Sequence, residues 1–411
     1  MIDLTGPQGP ASLDDVRRRN LSTLLSLLHA RRRASRADLT ALTGLNRSTV
    51  RTLTADLAAA GLVRESAPVG RGRAGRPSIT VEPESDAVYV IALDVGVAHL
   101  TALRVGLGGV VQDRRHVEQL GDFAVRRMVT RVARLVRVLL AAAPAGGVCA
   151  GIGVGVCGAV SADDGVVRFA PNLEWVDVPF GRLLAKRLGT SLPIDLGNDG
   201  DLGARAEHLR GVGQGLSDMV YIAGEVGIGG GVIAAGRPLR GAGGYAGEIG
   251  HMVVDPRGEH CRCGRRGCWE TQISDAAVLS ATGAPDGTSL EQVLAAYAAG
   301  ERWAQAGVRR VGRSLGGGVA NLVNVLNPEL VVFGGAIRHV YGATEPIVRE
   351  AMAAALVAPL EQVRLEAAGL GDDSVAVGAA ELSFVRLLDD PLGTLQRLSA
   401  GGPLGSDRVI A

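Results

Sequence analysis

Aromatic residues are scarce in this sequence, at 3% of 411 positions, and cysteine occurs only five times. So few cysteines in so long a chain exclude a disulfide framework, and with it the small secreted scaffolds. No charged start followed by an apolar run opens the sequence at Met1, so no secretory signal is expected. The longest stretch without charge, Val138 to Ala162, contains Pro144 and six glycines. It reads as a helix end, a turn and a buried strand rather than a membrane span. These absences point to a cytoplasmic protein with no membrane partner. Compositional bias towards disorder is also lacking: 47% hydrophobic and 21% charged residues are ordinary for a folded chain. The length suggests two or three domains.

What is abundant is glycine, 59 residues or about 14%, roughly twice the usual share and without a triplet period. Tight turns and loops where backbone approaches something closely are expected. The near-neutral net charge of +1 hides an asymmetry. Residues 1–80 carry 13 arginines against six carboxylates, a net +7, whereas the remainder has 30 basic and 36 acidic residues, a net −6. A basic head on a mildly acidic body points to a polyanion as the head's partner.

The head reads as three helices. Leu21, Leu24, Leu25 and Leu28 recur at spacings of three and four within Asp14–Arg31. Ser35 and Asp38 form a capping-box pattern before a short second helix that ends at Gly44. Asn46 caps a third, Arg47 to Ala60, with Val50, Leu53 and Leu57 on its inner face. A glycine turn between the last two defines a helix-turn-helix unit. Two β-like segments, Leu62–Arg64 and Ser78–Val81, flank a Gly/Arg-rich tip, the pattern of a wing. Arg47, Ser48, Thr49, Arg51 and Thr52 lie where a recognition helix meets base edges and phosphates. Arg71, Arg73 and Arg76, on a slim Gly/Pro-rich strip, suit the minor groove. Double-stranded DNA is the expected partner of residues 1–82; a helical dimerisation domain with an Arg-rich linker is the competing reading.

From residue 83 strands and helices alternate, which indicates an α/β body to about Asp389. Residues 390–411 contain Gly, Pro and Ser and are expected to fray. The triplet Gly151, Gly153, Gly155 falls within a strand rather than at a strand–helix turn, which argues against a dinucleotide fingerprint.

The sharpest local signal is His251, Cys261, Cys263 and Cys268 within 18 residues. Three thiolates and an imidazole satisfy tetrahedral Zn2+, and four protein ligands leave no open position, so such a zinc is structural. A redox pair at Cys261 and Cys263 is the alternative. Cys149 and Cys157 read as small buried residues in an apolar strand.

Gly247-Glu248-Ile249-Gly250-His251, Gly258 and the run Cys261 to Glu270 together resemble the zinc signature of the ROK family of repressors and sugar kinases. Asp94-Val95-Gly96, Asn198-Asp199, Gly227 to Gly231, Ala170 to Trp175 and Asn327 to Gly335 resemble further motifs of that family, in its order. The resemblance implies an actin-like (ribonuclease H-like) body of two lobes, its C-terminal helix returning to the first lobe. It also implies a sugar site formed by Asn198, Asp199, Glu248, His251 and Glu270. His251 would then bind zinc through one ring nitrogen and turn the other to the sugar. A winged helix before such a body resembles the family's repressor branch. The reading is therefore a repressor released from operator DNA by a monosaccharide or derivative, acting as a homodimer or homotetramer. The alternatives are an ATP-dependent sugar kinase with an accessory DNA-binding head and a zinc-braced assembly protein.

Two departures weigh against the kinase. Val97 and Ala98 stand where the kinases' first phosphate loop resembles Gly-Thr, removing close backbone approach and a hydroxyl for phosphate or Mg2+. Glu225 would set a negative charge beside any triphosphate. Asp199, in the position of a catalytic base, is expected instead to accept a sugar hydroxyl.

Overall fold

A computed structural model of the chain describes residues 12–67, 78–119, 121–161, 163–224 and 226–400. Local signals build the head. Helix α1 (Leu13–Arg31) starts where the Ser12 hydroxyl accepts the Asp15 N–H, and buries Leu21, Leu24, Leu25 and Leu28. After the short strand β1 (Ala34–Ser35), α2 (Arg36–Thr43) opens with the Ser35/Asp38 capping box and stops at Gly44, whose φ of 68° suits a residue without Cβ. Asn46 caps α3 (Arg47–Ala59). Strands β2 (Val63–Ser66) and β3 (Thr80–Pro83) pair antiparallel, and β1 adds to the other side of β3. Arg36 ties the unit together, bonding Glu65 at 2.5 Å and the Thr54 hydroxyl at 3.1 Å.

The body is one topology used twice. In the first lobe, β4 (Val88–Val95), β5 (His99–Gly106) and β6 (Val110–Glu118) form an antiparallel meander. Helix α4 (Val125–Ala141) leads to β7 (Val148–Val156), parallel to β4. A small sheet of β8 (Ala159–Ser161), β9 (Val166–Ala170) and β10 (Trp175–Val178), then α5 (Phe180–Leu188), precede β11 (Ile194–Asn198), parallel to β7. Helix α6 (Asp199–Arg210) crosses to the second lobe.

There β12 (Met219–Gly224), β13 (Ile228–Ala234) and β14 (Arg237–Pro238) form the second meander. Helices α7 (Glu270–Ile273), α8 (Asp275–Thr282), α9 (Leu290–Ala298) and α10 (Arg302–Leu326) lead to β15 (Leu330–Gly335), parallel to β12. Helices α11 (Ile337–Ala351) and α12 (Val357–Gln362) lead to β16 (Arg364–Ala367), parallel to β15. The strand orders β6-β5-β4-β7-β11 and β14-β13-β12-β15-β16 are the same. β4 and β15 are almost wholly buried, as helix-covered sheets require.

Helix α13 (Ser374–Asp389) returns to the first lobe and packs on β4, β7 and α6. Glycine makes this possible. A Cβ on Gly153 of β7 would lie 2.0 Å from the Ala379 carbonyl oxygen, and one on Gly378 would lie 1.9 Å from the Leu202 carbonyl oxygen of α6. The glycine triplet of β7 is therefore the seat of a helix, which accounts for its position inside a strand.

The expected frayed tail needs correction. Pro391–Ala400 forms a further helix, α14, and Leu392, Leu395 and Leu398 pack against the core. Its neighbours are α1, α13 and β7. Pro391 is tolerated because a first-turn residue needs no N–H partner; residues 401–411 lie outside the described residues. One core runs through head and first lobe alike, with Leu24, Leu25 and Leu57 in the same cluster as Val90, Leu103 and Phe384.

Candidate functional site

The carboxyl ends of β4, β7, β11, β12 and β15 converge on one cleft of about 570 Å3, where open α/β sheets bind ligands. Asn198, Asp199, Glu248, His251 and Glu270 all line it, as do Asp94, Gly96, Asn172 and Gly227 to Gly229. Asn198 caps α6 by accepting the Asp201 N–H, while its amide donates to the Gly158 carbonyl at 2.9 Å. The cap places Asp199 at the amino end of a twelve-residue helix, beside the Gly229 backbone. Burial, then the neighbouring carboxylates of Asp94 and Glu248, push the Asp199 carboxyl up to about 7, although the Gly200 N–H opposes them. Burial also raises Asp201 to about 7, against Arg240. Partial withdrawal from water raises Glu248, against the pull of His251.

His251 closes a short 3-10 turn, Ile249–His251, and faces two ways. Its Nδ1 lies 3.7 Å from the Cys261 Sγ, and its Nε2 lies 4.0 Å from a Glu248 oxygen towards the cleft. Cys263 and Cys268 stand with sulfurs 3.6 Å apart, and all four donor atoms lie within 4.8 Å of one another. Ligands at about 2.3 Å from a tetrahedral ion sit roughly 3.8 Å apart, so this donor set fits a metal ion. The loop is shaped for it: bridges join Val253 to Cys268 and His260 to Arg266. Gly267, at φ 71°, sits where a Cβ would meet the Asp255 carbonyl oxygen at 1.6 Å. Glu270 spans both features, one oxygen accepting from Cys261 Sγ at 2.7 Å and the other from the Ile228 N–H at 3.2 Å.

The first phosphate-loop motif is closed. His99 bonds Asp94 at 3.0 Å, and its ring lies so near Gly96 that a Cβ there would meet it at 2.9 Å. The Gly96 N–H donates to the His99 carbonyl and its own carbonyl accepts from Gln119, so both backbone groups of Gly96 are committed internally. Sequence reasoning missed His99, His116 and Gln119, which line the cleft here. The only available hint was a polar ring five residues after Asp94. Glu225 lies outside the described residues. Cys149 and Cys157 are half-buried rather than buried, and Cys157 forms part of the cleft wall.

In the head, Arg47, Ser48, Arg51 and Thr52 are exposed on one side of α3, while Thr49 is half-buried. The Thr49 N–H and the Ser48 hydroxyl both bond Asn46. Arg17, Arg36 and Arg64 pair with carboxylates. Among the described residues Arg47 and Arg51 enter no such ion pair, which leaves two cations facing outward. Arg71, Arg73 and Arg76 lie outside the described residues.

Two lobes of equal topology meeting at a cleft of carboxylates and glycine turns define an actin-like, ribonuclease H-like α/β body of the sugar-kinase type. The ROK family model matches residues 90–384, and the chain belongs to the ROK family. A candidate xylose repressor of Caldicellulosiruptor sp. (strain Rt8B.4) is 30% identical over 92% of this chain and 98% of its own. The xylose repressor of Bacillus subtilis (strain 168) is 27% identical over 91% and 97%. The glucokinase of Halalkalibacterium halodurans is 34% identical, but over 56% of this chain and 75% of its own. Among solved structures, a ROK family transcriptional regulator homologous to the E. coli MLC protein superposes with a TM-score of 0.76 at 25% identity, covering 94% of this chain and all of that one. A ROK glucokinase from Streptomyces griseus with glucose and AMPPNP gives 0.63 at 28%, covering 72% of this chain and 98% of that one. No helix among the described residues is long and apolar enough to cross a membrane.

Proposed function

We propose that this protein is a sugar-responsive transcriptional repressor that binds operator DNA through α3 and the wing and is released when a monosaccharide or derivative enters the cleft. The observation that carries the reading is the joining of the two parts: relatives named repressors align across head and body, whereas the glucokinase aligns with little more than half the chain. Asn198, Asp199, Glu248, His251 and Glu270 supply opposed acceptors and an imidazole to a ring of hydroxyls. Zn2+ held by His251 Nδ1, Cys261, Cys263 and Cys268 braces the loop that presents Glu248, with no position left open for chemistry. A homodimer or homotetramer in the cytoplasm presents paired heads to a two-half operator. The test is selection of a duplex from random DNA by the purified protein, followed by titration with monosaccharides: sequence-selective binding that a sugar weakens supports the reading, and indifference to every sugar refutes it.

A second reading, an ATP-dependent sugar kinase with a DNA-binding head, draws on Asp199, whose carboxyl near 7 suits a general base. The closed loop at Gly96 and His99 argues against it. Transfer of labelled phosphate from ATP to a sugar decides between them.

A further inference from the structure

The boundary between head and body contains a polar cluster almost sealed from water. Arg210, the last residue of α6, donates from Nε to Glu381 of α13 at 2.7 Å, and from Nη1 to the carbonyls of His29 and Ala30 at 2.7 and 3.3 Å. The second Glu381 oxygen lies 3.0 Å from Nε2 of His29 in α1. The Gly108 N–H points at His29 Nδ1 from 2.9 Å, which makes Nδ1 the acceptor and Nε2 the donor to Glu381. The Phe384 ring packs against the imidazole at 4.8 Å. The side chains of His29, Arg210 and Glu381 are at most 4% exposed. Arg210 thus also places a cation on the carbonyl end of α1, where the helix dipole favours it.

The two body helices that meet the head here both begin at the cleft. Helix α6 runs from Asp199 to Arg210, about 18 Å for its twelve residues. Helix α13 begins at Ser374, which lines the cleft, and carries Glu381 two turns later. Buried Glu207 fastens them together: its carboxylate accepts from the Gly369 and Leu370 N–H groups and from the Ser374 hydroxyl. With Gly378 packed on Leu202, the pair has little freedom to slide internally.

We infer that the Arg210–Glu381–His29 cluster couples the cleft to the DNA-binding head, transmitting movement of the paired helices α6 and α13 to α1. A purely apolar boundary would let α1 re-pack in several registers. Fixed donors and acceptors allow one, and removing a partner leaves a buried charge unmatched. These three are positioning residues: none touches the cleft, yet each joins an element that does to the head. The inference rests on the proposed regulatory function.

The test compares the wild-type full chain with Glu381→Gln and His29→Gln, using a duplex selected by the wild type and D-xylose, D-glucose and N-acetyl-D-glucosamine as probes. The readout is the ratio of DNA dissociation constants with and without sugar, which for coupled sites is typically about 5- to 150-fold. Expected in both variants are sugar dissociation constants within about threefold of wild type, with the ratio reduced to within about twofold of unity. Loss of structure alone would lower both affinities and leave no such selective loss. Hydrogen exchange on the wild type gives a reading that needs no variant: sugar should alter exchange at the Gly108 amide and in the last turn of α1. Variants that keep the wild-type ratio, or unchanged exchange at those amides, overturn the inference while the regulatory reading stands. A wild type whose DNA affinity no sugar alters overturns both.

Discussion

His99 closes over Gly96: the imidazole bonds Asp94 at 3.0 Å and leaves no room for a Cβ on the glycine. Both backbone groups of Gly96, in the segment that resembles a phosphate loop, are turned to internal partners. MgATP should leave the melting temperature unchanged, whereas a binding sugar at 100 times its dissociation constant adds about 2.7 kcal/mol and raises it. His99→Ala opens the loop but restores neither a second glycine nor a hydroxyl at Val97 and Ala98, so phosphotransfer should stay absent. Thermal denaturation with each ligand checks both points; stabilisation of the wild type by MgATP alone would contradict them.

Asp199 sets a pH dependence. Its carboxyl is held up to about 7, above the ordinary 3.8, so the free protein keeps the proton through mildly acid conditions that ionise it in the unfolded chain. For this group folding stability is greatest below about 4 and declines as pH rises to about 7, the folded state binding the extra proton in that window. Sugar hydroxyls that donate to the carboxylate favour its ionised form. Sugar affinity should therefore rise with pH through 7 and level off above it. Asp199→Asn, which cannot ionise, should flatten this profile. Calorimetric titration between pH 5.5 and 8.5, roughly spanning this transition, measures it.

With zinc in the His251/Cys261/Cys263/Cys268 cluster and sugar in the cleft, as proposed, Glu270 and His251 would serve both, so damage to one should reach the other. Cys263→Ser should lower zinc content below stoichiometric and weaken sugar binding, while DNA binding changes less. Elemental analysis beside a sugar titration is the check, and full zinc occupancy in the variant would remove this ligand assignment.

DNA affinity should fall linearly as salt rises, on logarithmic axes, as expected if the basic head neutralises several phosphates. Arg47→Ala and Arg51→Ala should each cost about 1–3 kcal/mol of discrimination at the base pair contacted. Replacing Arg73 or Arg76 should weaken binding with a smaller change in preference, mainly at A/T-rich flanks. Selection on randomised duplexes by each variant distinguishes the two patterns.

The head was legible because its instructions are local. The Ser35/Asp38 box, Asn46 and Gly44 lie within a few residues of the groups they satisfy. The convergence of His251, Cys261, Cys263 and Cys268 was legible for the same reason, the four being close in sequence. Helix α14 was not: Pro391 and Gly393 mimic a frayed end, and Leu392, Leu395 and Leu398 acquire partners only when α1 and α13 are in place. His29 and Glu381, 352 residues apart, meet only in the folded chain. The closing of His99 on Asp94 depends on a β4–β5 turn whose geometry no composition rule encodes.

If the cleft governs the head, Asp199→Ala should blunt the response to sugar without altering the head itself. With the effector bound as proposed, removing this carboxylate would delete one or two charge-assisted hydrogen bonds, each worth about 1.5–3 kcal/mol, and leave the head untouched. The measurement is release of a selected duplex by sugar in the wild type and in Asp199→Ala, with transfer of labelled phosphate from ATP followed in the same samples. Expected are equal DNA affinity without sugar, a requirement for roughly tenfold or more sugar in the variant, and no phosphate transfer by either protein. Normal sugar-induced release by the variant, or phosphorylation by the wild type that the variant loses, would contradict this expectation.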